Sequence, residues 1–196
     1  MSQAAPPYKA MGNAASDRLA DLRSRLRMAS WFAAVGEKLL AGERWDARAY
    51  LAGLGFADAG VDEVSSWQEA AAITKSPDWS RAWWDREEAE RTRLLEICGR
   101  DLPEHELMAA LSRIMELASA TTHGAAAIAA SRAGVADQAL IRVAAGAAAQ
   151  AAYQAALPVL AGKAASESEH PFAVKFRLFE AGRWPLGIAG GSFHVF

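Results

Sequence analysis

Ten side chains in this sequence combine a residue type and a spacing that suit binding or catalysis. Three of them are the tryptophans Trp79, Trp83 and Trp84. On an α-helix Trp79 and Trp83 lie one turn apart and share a face, while Trp84 is rotated by about 100° from Trp83. Such a cluster offers an aromatic contact surface for a partner, because tryptophan is enriched among the residues that dominate interface energetics. It has an equally plain architectural use, because large rings fill the space that small side chains leave in a core. Glu87 and Arg91 follow at a spacing that suits an ion pair on a solvated helix face. Glu116 and His123 share a face if the helix between them is unbroken. Gln150 and Tyr153, with Gln154 one turn beyond Gln150, interrupt an alanine-rich run. Amides on a buried helix need partners, so these residues either line a polar pocket or form a strip facing solvent. Trp184 belongs to a C-terminal segment dense in aromatic and turn residues.

The motifs of common enzymes are missing. There is no phosphate loop, no GxGxxG, no HExxH, no paired CxxC and no GxSxG elbow. The four histidines, His105, His123, His170 and His194, do not pair at helical ligand spacing. The string Glu167 to His170 reads ExxH, but it falls in a polar stretch and not on a bundle helix, where a carboxylate-bridged metal site would be built. No metal and no cofactor is expected. Cys98 is the single cysteine and sits toward a helix C-terminus, where the dipole disfavours a thiolate, so no catalytic residue is assigned to it or to any other position. Arg18, Arg23, Arg25 and Arg27 are mixed with acidic residues and lack interleaved aromatics. With 21 basic against 23 acidic residues, the charge balance also argues against a nucleic-acid partner.

The leading expectation is a non-enzymatic protein–protein interaction role, such as an adaptor or assembly factor, with a protein partner or a second copy of the chain on the aromatic surface. The alternative is an enzyme or small-molecule-binding protein with a polar pocket between helices. Its lining would be Glu87, Arg91, Glu116, His123, Gln150 and Tyr153.

Helices must position most of these residues. Of the 196 residues 47 are alanine, so the hydrophobic fraction of 52% overstates the apolar surface available for burial. Leu19, Leu22, Leu26, Ala29, Ala33, Gly36 and Leu40 recur at helical steps and predict one long first helix from Ser16 or Asp17, stopping near Gly42. Asp46 would cap a short helix through Leu54, and a further helix is expected over 61–74, with Asp62 and Glu63 in its first turn. Ser76-Pro77-Asp78 predicts the start of a helix running to about Cys98. Pro103 predicts another to Arg132, with Thr121, Thr122 and Gly124 as a place for a kink. Asp137 would cap the alanine-rich helix over 138–160. The uncharged run from Val143 to Gly162 is long enough to cross a bilayer, but alanine and glutamine insert poorly, and the run reads as a buried helix with no membrane involved.

Beyond Gly162 the pattern changes. Phe172, Val174, Phe176 and Leu178 alternate with Ala173, Lys175 and Arg177, which predicts a half-buried strand. Segment 184–189 reads as a second strand, Gly190-Gly191 as a tight turn and 192–196 as a third. The expected fold is therefore mainly α, a bundle of about five or six helices with a small C-terminal antiparallel β-meander. Residues 1–15 would form a flexible arm, 16–162 the bundle, and 163–196 a linker and the meander, in one domain overall. The segment Met1 to Asn13 lacks a basic-then-apolar signal pattern, and a cytoplasmic location is expected.

Overall fold

A computed structural model describes residues 14–162 and 169–196. The expected N-terminal arm falls almost wholly outside the described residues, as does the linker over 163–168. The described chain is mainly helical, with eight helices and one three-stranded sheet. In order these are α1 (Ala14–Arg18), α2 (Ala20–Met28), α3 (Ala41–Leu54), β1 (Gly60–Glu63), α4 (Trp67–Thr74), α5 (Arg81–Asp101), α6 (Glu104–Arg132), α7 (Gln138–Leu160), α8 (Pro171–Glu180), β2 (Pro185–Ala189) and β3 (Ser192–Val195).

The alanine-rich half of the chain forms the helical pair α6 and α7, the most extensive packing among the described elements. Ala118, Ala126 and Ala130 on α6 and Ala144, Ala148, Ala151 and Ala152 on α7 are fully or almost fully buried. With only a methyl beyond each backbone, the two helices approach closely. Asp137 caps α7, its Oδ1 accepting from the amides of Ala139 (2.9 Å) and Leu140 (3.1 Å). Among the described residues α7 is the one helix long and apolar enough to cross a membrane, and 67% of that span is buried inside the protein. The kink considered at Thr121–Gly124 does not form, and α6 runs unbroken to Arg132.

The large rings are placed elsewhere. Helix α8 lies between two cores. Phe172, Phe176 and Phe179 face the first, beside Trp31, Phe32, Trp67, Trp184 and Phe196. Val174 and Leu178 face the second, with Tyr50, Leu51 and Leu54 of α3, Trp83 of α5, and Ile188 and Phe193 of the sheet.

That position explains the main correction to the expected fold. Segment 172–178 is not a strand. His170 caps α8, its Nδ1 accepting from the Phe172 amide (3.2 Å), and Pro171 opens the first turn. A helix sandwiched between two cores is apolar around most of its circumference, so an apparent two-residue alternation does not separate helix from strand.

The sheet differs from a meander for the same reason. β2 and β3 form the expected antiparallel hairpin through Gly190-Gly191. Its third strand is β1, which comes from far upstream and pairs parallel with β3, giving the order β1-β3-β2. Residues Asp62 and Glu63 therefore lie in a strand and not in a first helical turn. Helix α4 starts later, where Ser66 accepts from the Glu69 amide.

The long first helix is also broken, and its division at Leu19 into α1 and α2, together with α8, raises the helix count from six to eight. It stops at Met28, and residues 29–40 turn back with Phe32 at φ 59° and Gly36 at φ 81°. The turn is held from within. Buried Arg183 donates to the carbonyls of Ala34, Glu37 (2.8 Å) and Lys38 (2.8 Å) and to Glu43 (2.9 Å). Trp31 and Phe32 are buried against Phe179. Gly42 therefore lies in the first turn of α3, and Asp46 does not cap that helix but pairs with Arg177 (2.6 Å). The start expected at Ser76 moves to Ser80, whose hydroxyl accepts from the Trp83 amide (3.2 Å).

Candidate functional site

Two adjacent faces of α5 build the site. Trp83, Glu87, Leu94 and Cys98 recur at four- and seven-residue steps and are buried. Trp84, Glu88 and Arg91 recur at the same steps on the neighbouring face and line a cleft of about 640 Å³. The opposite wall is α7, which contributes Val143, Gly146, Ala147, Gln150 and Tyr153, again one helix face. Trp184, Pro185 and Leu186 close one end, Thr74 and Met115 add to the wall, and Trp79, Trp83 and Lys175 complete the lining.

The aromatic walls are mutually inclined. The Trp79 and Trp83 rings meet edge to face, with centroids 5.5 Å apart and an interplanar angle of 86°. The Trp79 and Trp84 rings lie 5.8 Å apart at 46°. The 100° between Trp83 and Trp84 is thus resolved by sending them to different places. Trp83 is buried, and Trp84 remains 41% exposed at the mouth.

Behind the cleft lies a buried polar cluster. Glu87 is fully buried, and its Oε1 accepts from the Tyr50 hydroxyl (2.6 Å) and from Lys175 Nζ (2.7 Å). Lys175 Nζ also reaches Glu87 Oε2 (3.1 Å) and the Gln154 carbonyl oxygen (3.3 Å). The Trp83 indole N–H donates to the Tyr50 oxygen (2.8 Å). The ammonium stands over the Trp83 ring at 5.5 Å and over the Tyr50 ring at 5.9 Å. Each buried charge is therefore paired and hydrogen-bonded, which burial requires. At the rim Arg91 donates to Glu88 through Nε (2.9 Å) and a terminal nitrogen (2.6 Å).

Burial pushes the Tyr50 hydroxyl well above its ordinary range, helped by the Glu87 charge and by the hydrogen bond given to it. The folded state thus binds this proton more tightly than the unfolded chain does. The resulting stability is complete below the unfolded value near 10 and is lost as pH climbs from there toward the folded value. Burial, with Asp101 nearby, pushes the Cys98 thiol up to about 11, so its contribution has the same sign. Urea midpoints measured from about pH 8 to 11 are expected to fall, and Tyr50→Phe is expected to flatten the part of the decline above about pH 10. An unchanged slope in that variant would show that Tyr50 does not carry it.

The structure brings Trp79, Trp83, Trp84, Arg91, Gln150, Tyr153 and Trp184 to one cleft. Glu87 lies directly behind it, which corrects the expected surface pair with Arg91. Glu87 turns inward to Lys175, and Arg91 takes Glu88 instead. Glu116 and His123 are exposed on α6 and do not line the cleft. Among the described residues no three histidine, cysteine or carboxylate side chains cluster closely enough to hold a metal.

Sequence reasoning missed Lys175 and Tyr50. Lys175 was placed on the solvent side of a strand that does not exist. The signal that could have found it is a lone lysine within the apolar run 172–179, which demands a buried acid if the run is helical. No protein family, curated protein or solved structure matches this chain, and the chemistry of the cleft is accordingly taken from its own side chains.

Proposed function

We propose that this chain is a binding protein for a small, flat organic molecule held in the cleft between α5 and α7. One observation carries the proposal: a recess of about 640 Å³ walled by inclined aromatic rings, with the Gln150 amide free of partners among the described residues. Ligand sites typically occupy roughly 300–1,000 Å³ and combine apolar walls with a few polar groups. Lys175 serves in this reading as a hydrogen-bond donor, its contacts going to Glu87 and Gln154.

The interaction role remains as a second reading on one observation. Trp84 (41% exposed) and Val143 (50% exposed) stand at the mouth, where a protein or a second copy of the chain would meet them. The burial of α7 supports reading it as a core helix rather than a membrane span.

Gly146 provides the test. A Cβ built there meets nothing within 4 Å, so a longer side chain projects into the cleft without displacing the protein. Wild-type chain is expected to bind the neutral probe 2-naphthamide by isothermal titration calorimetry, and Gly146→Leu is expected to weaken it at least about tenfold with a melting temperature no lower than that of wild type. Equal binding by the variant, or no binding by wild type, would remove the cleft as the ligand site.

A further inference from the structure

We infer that the cleft selects a flat apolar molecule bearing a carboxylate or equivalent anionic oxygen group, and that Lys175 is the residue that selects it. The inference rests on the cleft being the ligand site and concerns what that site prefers.

The buried ion pair is oriented. Glu87 is sealed from solvent, whereas Lys175 forms part of the cleft lining and keeps 8% of its side chain exposed. The cleft therefore meets the positive end of the pair, with the negative end behind it. The ammonium is not equally committed to its three contacts. Two go to the carboxylate of Glu87 at 2.7 and 3.1 Å, and the third goes to the neutral oxygen of Gln154 at 3.3 Å. A ligand carboxylate replacing the Gln154 contact would exchange a long neutral acceptor for a charged one, and charge-assisted hydrogen bonds are the stronger kind.

A cationic ligand is disfavoured at the same place. Inclined tryptophan rings are a usual receptor for an ammonium. Here the Trp83 face already carries one, the Lys175 Nζ at 5.5 Å. The carboxylates are also taken. Glu88 is paired with Arg91, and Glu87 is buried. The unused polar groups are mainly donors. The indole N–H of the exposed Trp84 and the amide of Gln150 find no partner among the described residues. An ammonium in the cleft wall, with no unpaired carboxylate beside it, matches an oxygen anion on a flat body.

Three probes of one shape test this: 2-naphthoate, 2-naphthamide and 2-naphthylmethylammonium, titrated calorimetrically into the full chain at low ionic strength. The naphthoate is expected to bind about tenfold more tightly than the amide, with the ammonium weakest, because opposite charges attract more strongly at a group held largely out of water, as Lys175 is. An ammonium or amide that equals the naphthoate overturns the inference while leaving the cleft as a ligand site. Failure of all three to bind overturns both. The double variant Glu87→Met with Lys175→Met removes both buried charges together and is expected to keep amide binding while losing the preference for the anion. Arg91→Gln, at the rim, separates the two cations independently of that variant's folding. The preference is expected to survive in Arg91→Gln, and its loss there would reassign the selection to Arg91 and overturn the role given to Lys175.

Discussion

Replacing Glu87 with alanine is expected to destabilise the protein by about 3–5 kcal/mol, the loss usual when one member of a buried ion pair is removed. The magnitude follows from what is left behind. Lys175, with 8% of its side chain exposed, would lose its two shortest acceptors and keep only the Gln154 oxygen. The Tyr50 hydroxyl and, behind it, the Trp83 indole would lose the end of their hydrogen-bond chain. Urea denaturation gives the comparison directly. Replacing both Glu87 and Lys175 with methionine is expected to lose far less than the sum of the single substitutions, because no charge is then stranded. A Glu87→Ala variant within about 1 kcal/mol of wild type would mean that water reaches Lys175 and that the cluster is not a closed unit.

The architecture was legible in the sequence wherever one local signal acted alone. Asp137 and the alanine run place α7 to the residue, because a side-chain cap and a polar-to-apolar switch coincide there. The hairpin at Gly190-Gly191 is likewise a local matter of backbone freedom. What failed depended on partners distant in sequence. The break after Met28 follows from Arg183, which reaches three loop carbonyls from about 150 positions away, and no local pattern carries that information. β1 exists because β3 offers it an edge, and its residues read as a helix start without that edge. The site shows the same division. The Gln150–Tyr153 face was visible because it lies on one helix at helical spacing, whereas Trp79 precedes α5 and bridges Ala189 of β2, so the tryptophans share a cleft but not the single helix that their spacing predicts. The Glu87–Lys175 pair was not legible because 88 positions separate the two residues, and only the packing of α8 against α3 and α7 brings them together.

The cleft and the polar cluster are mechanically joined at Trp83, whose ring is cleft wall on one side and whose N–H belongs to the cluster on the other. That coupling makes Gly187 a sensitive position. Gly187 sits at the irregularity in the β2–β3 register with φ 126°, a conformation that L side chains rarely adopt. A Cβ there would lie 2.8 Å from Trp83 Cζ3, 3.0 Å from Trp79 Nε1 and 3.2 Å from Trp83 Cη2. Trp83 has no room to yield, since it is buried and its indole is bonded to Tyr50.

Gly187→Ala is therefore expected to cost about 2–4 kcal/mol, combining a strained backbone with an overpacked contact. It should also perturb the near-ultraviolet circular dichroism of the tryptophans. Gly146→Ala, across the cleft, supplies the contrast: its Cβ meets open space on a helix, so it is expected to stabilise the protein by up to about 1 kcal/mol and leave the spectrum unchanged. If Gly187→Ala proved as benign as Gly146→Ala, the Trp79–Trp83 pair would be loose. A loose pair could neither hold the cleft's shape nor keep the Lys175 ammonium over a fixed ring, so the selectivity assigned to the cleft would lose its structural basis.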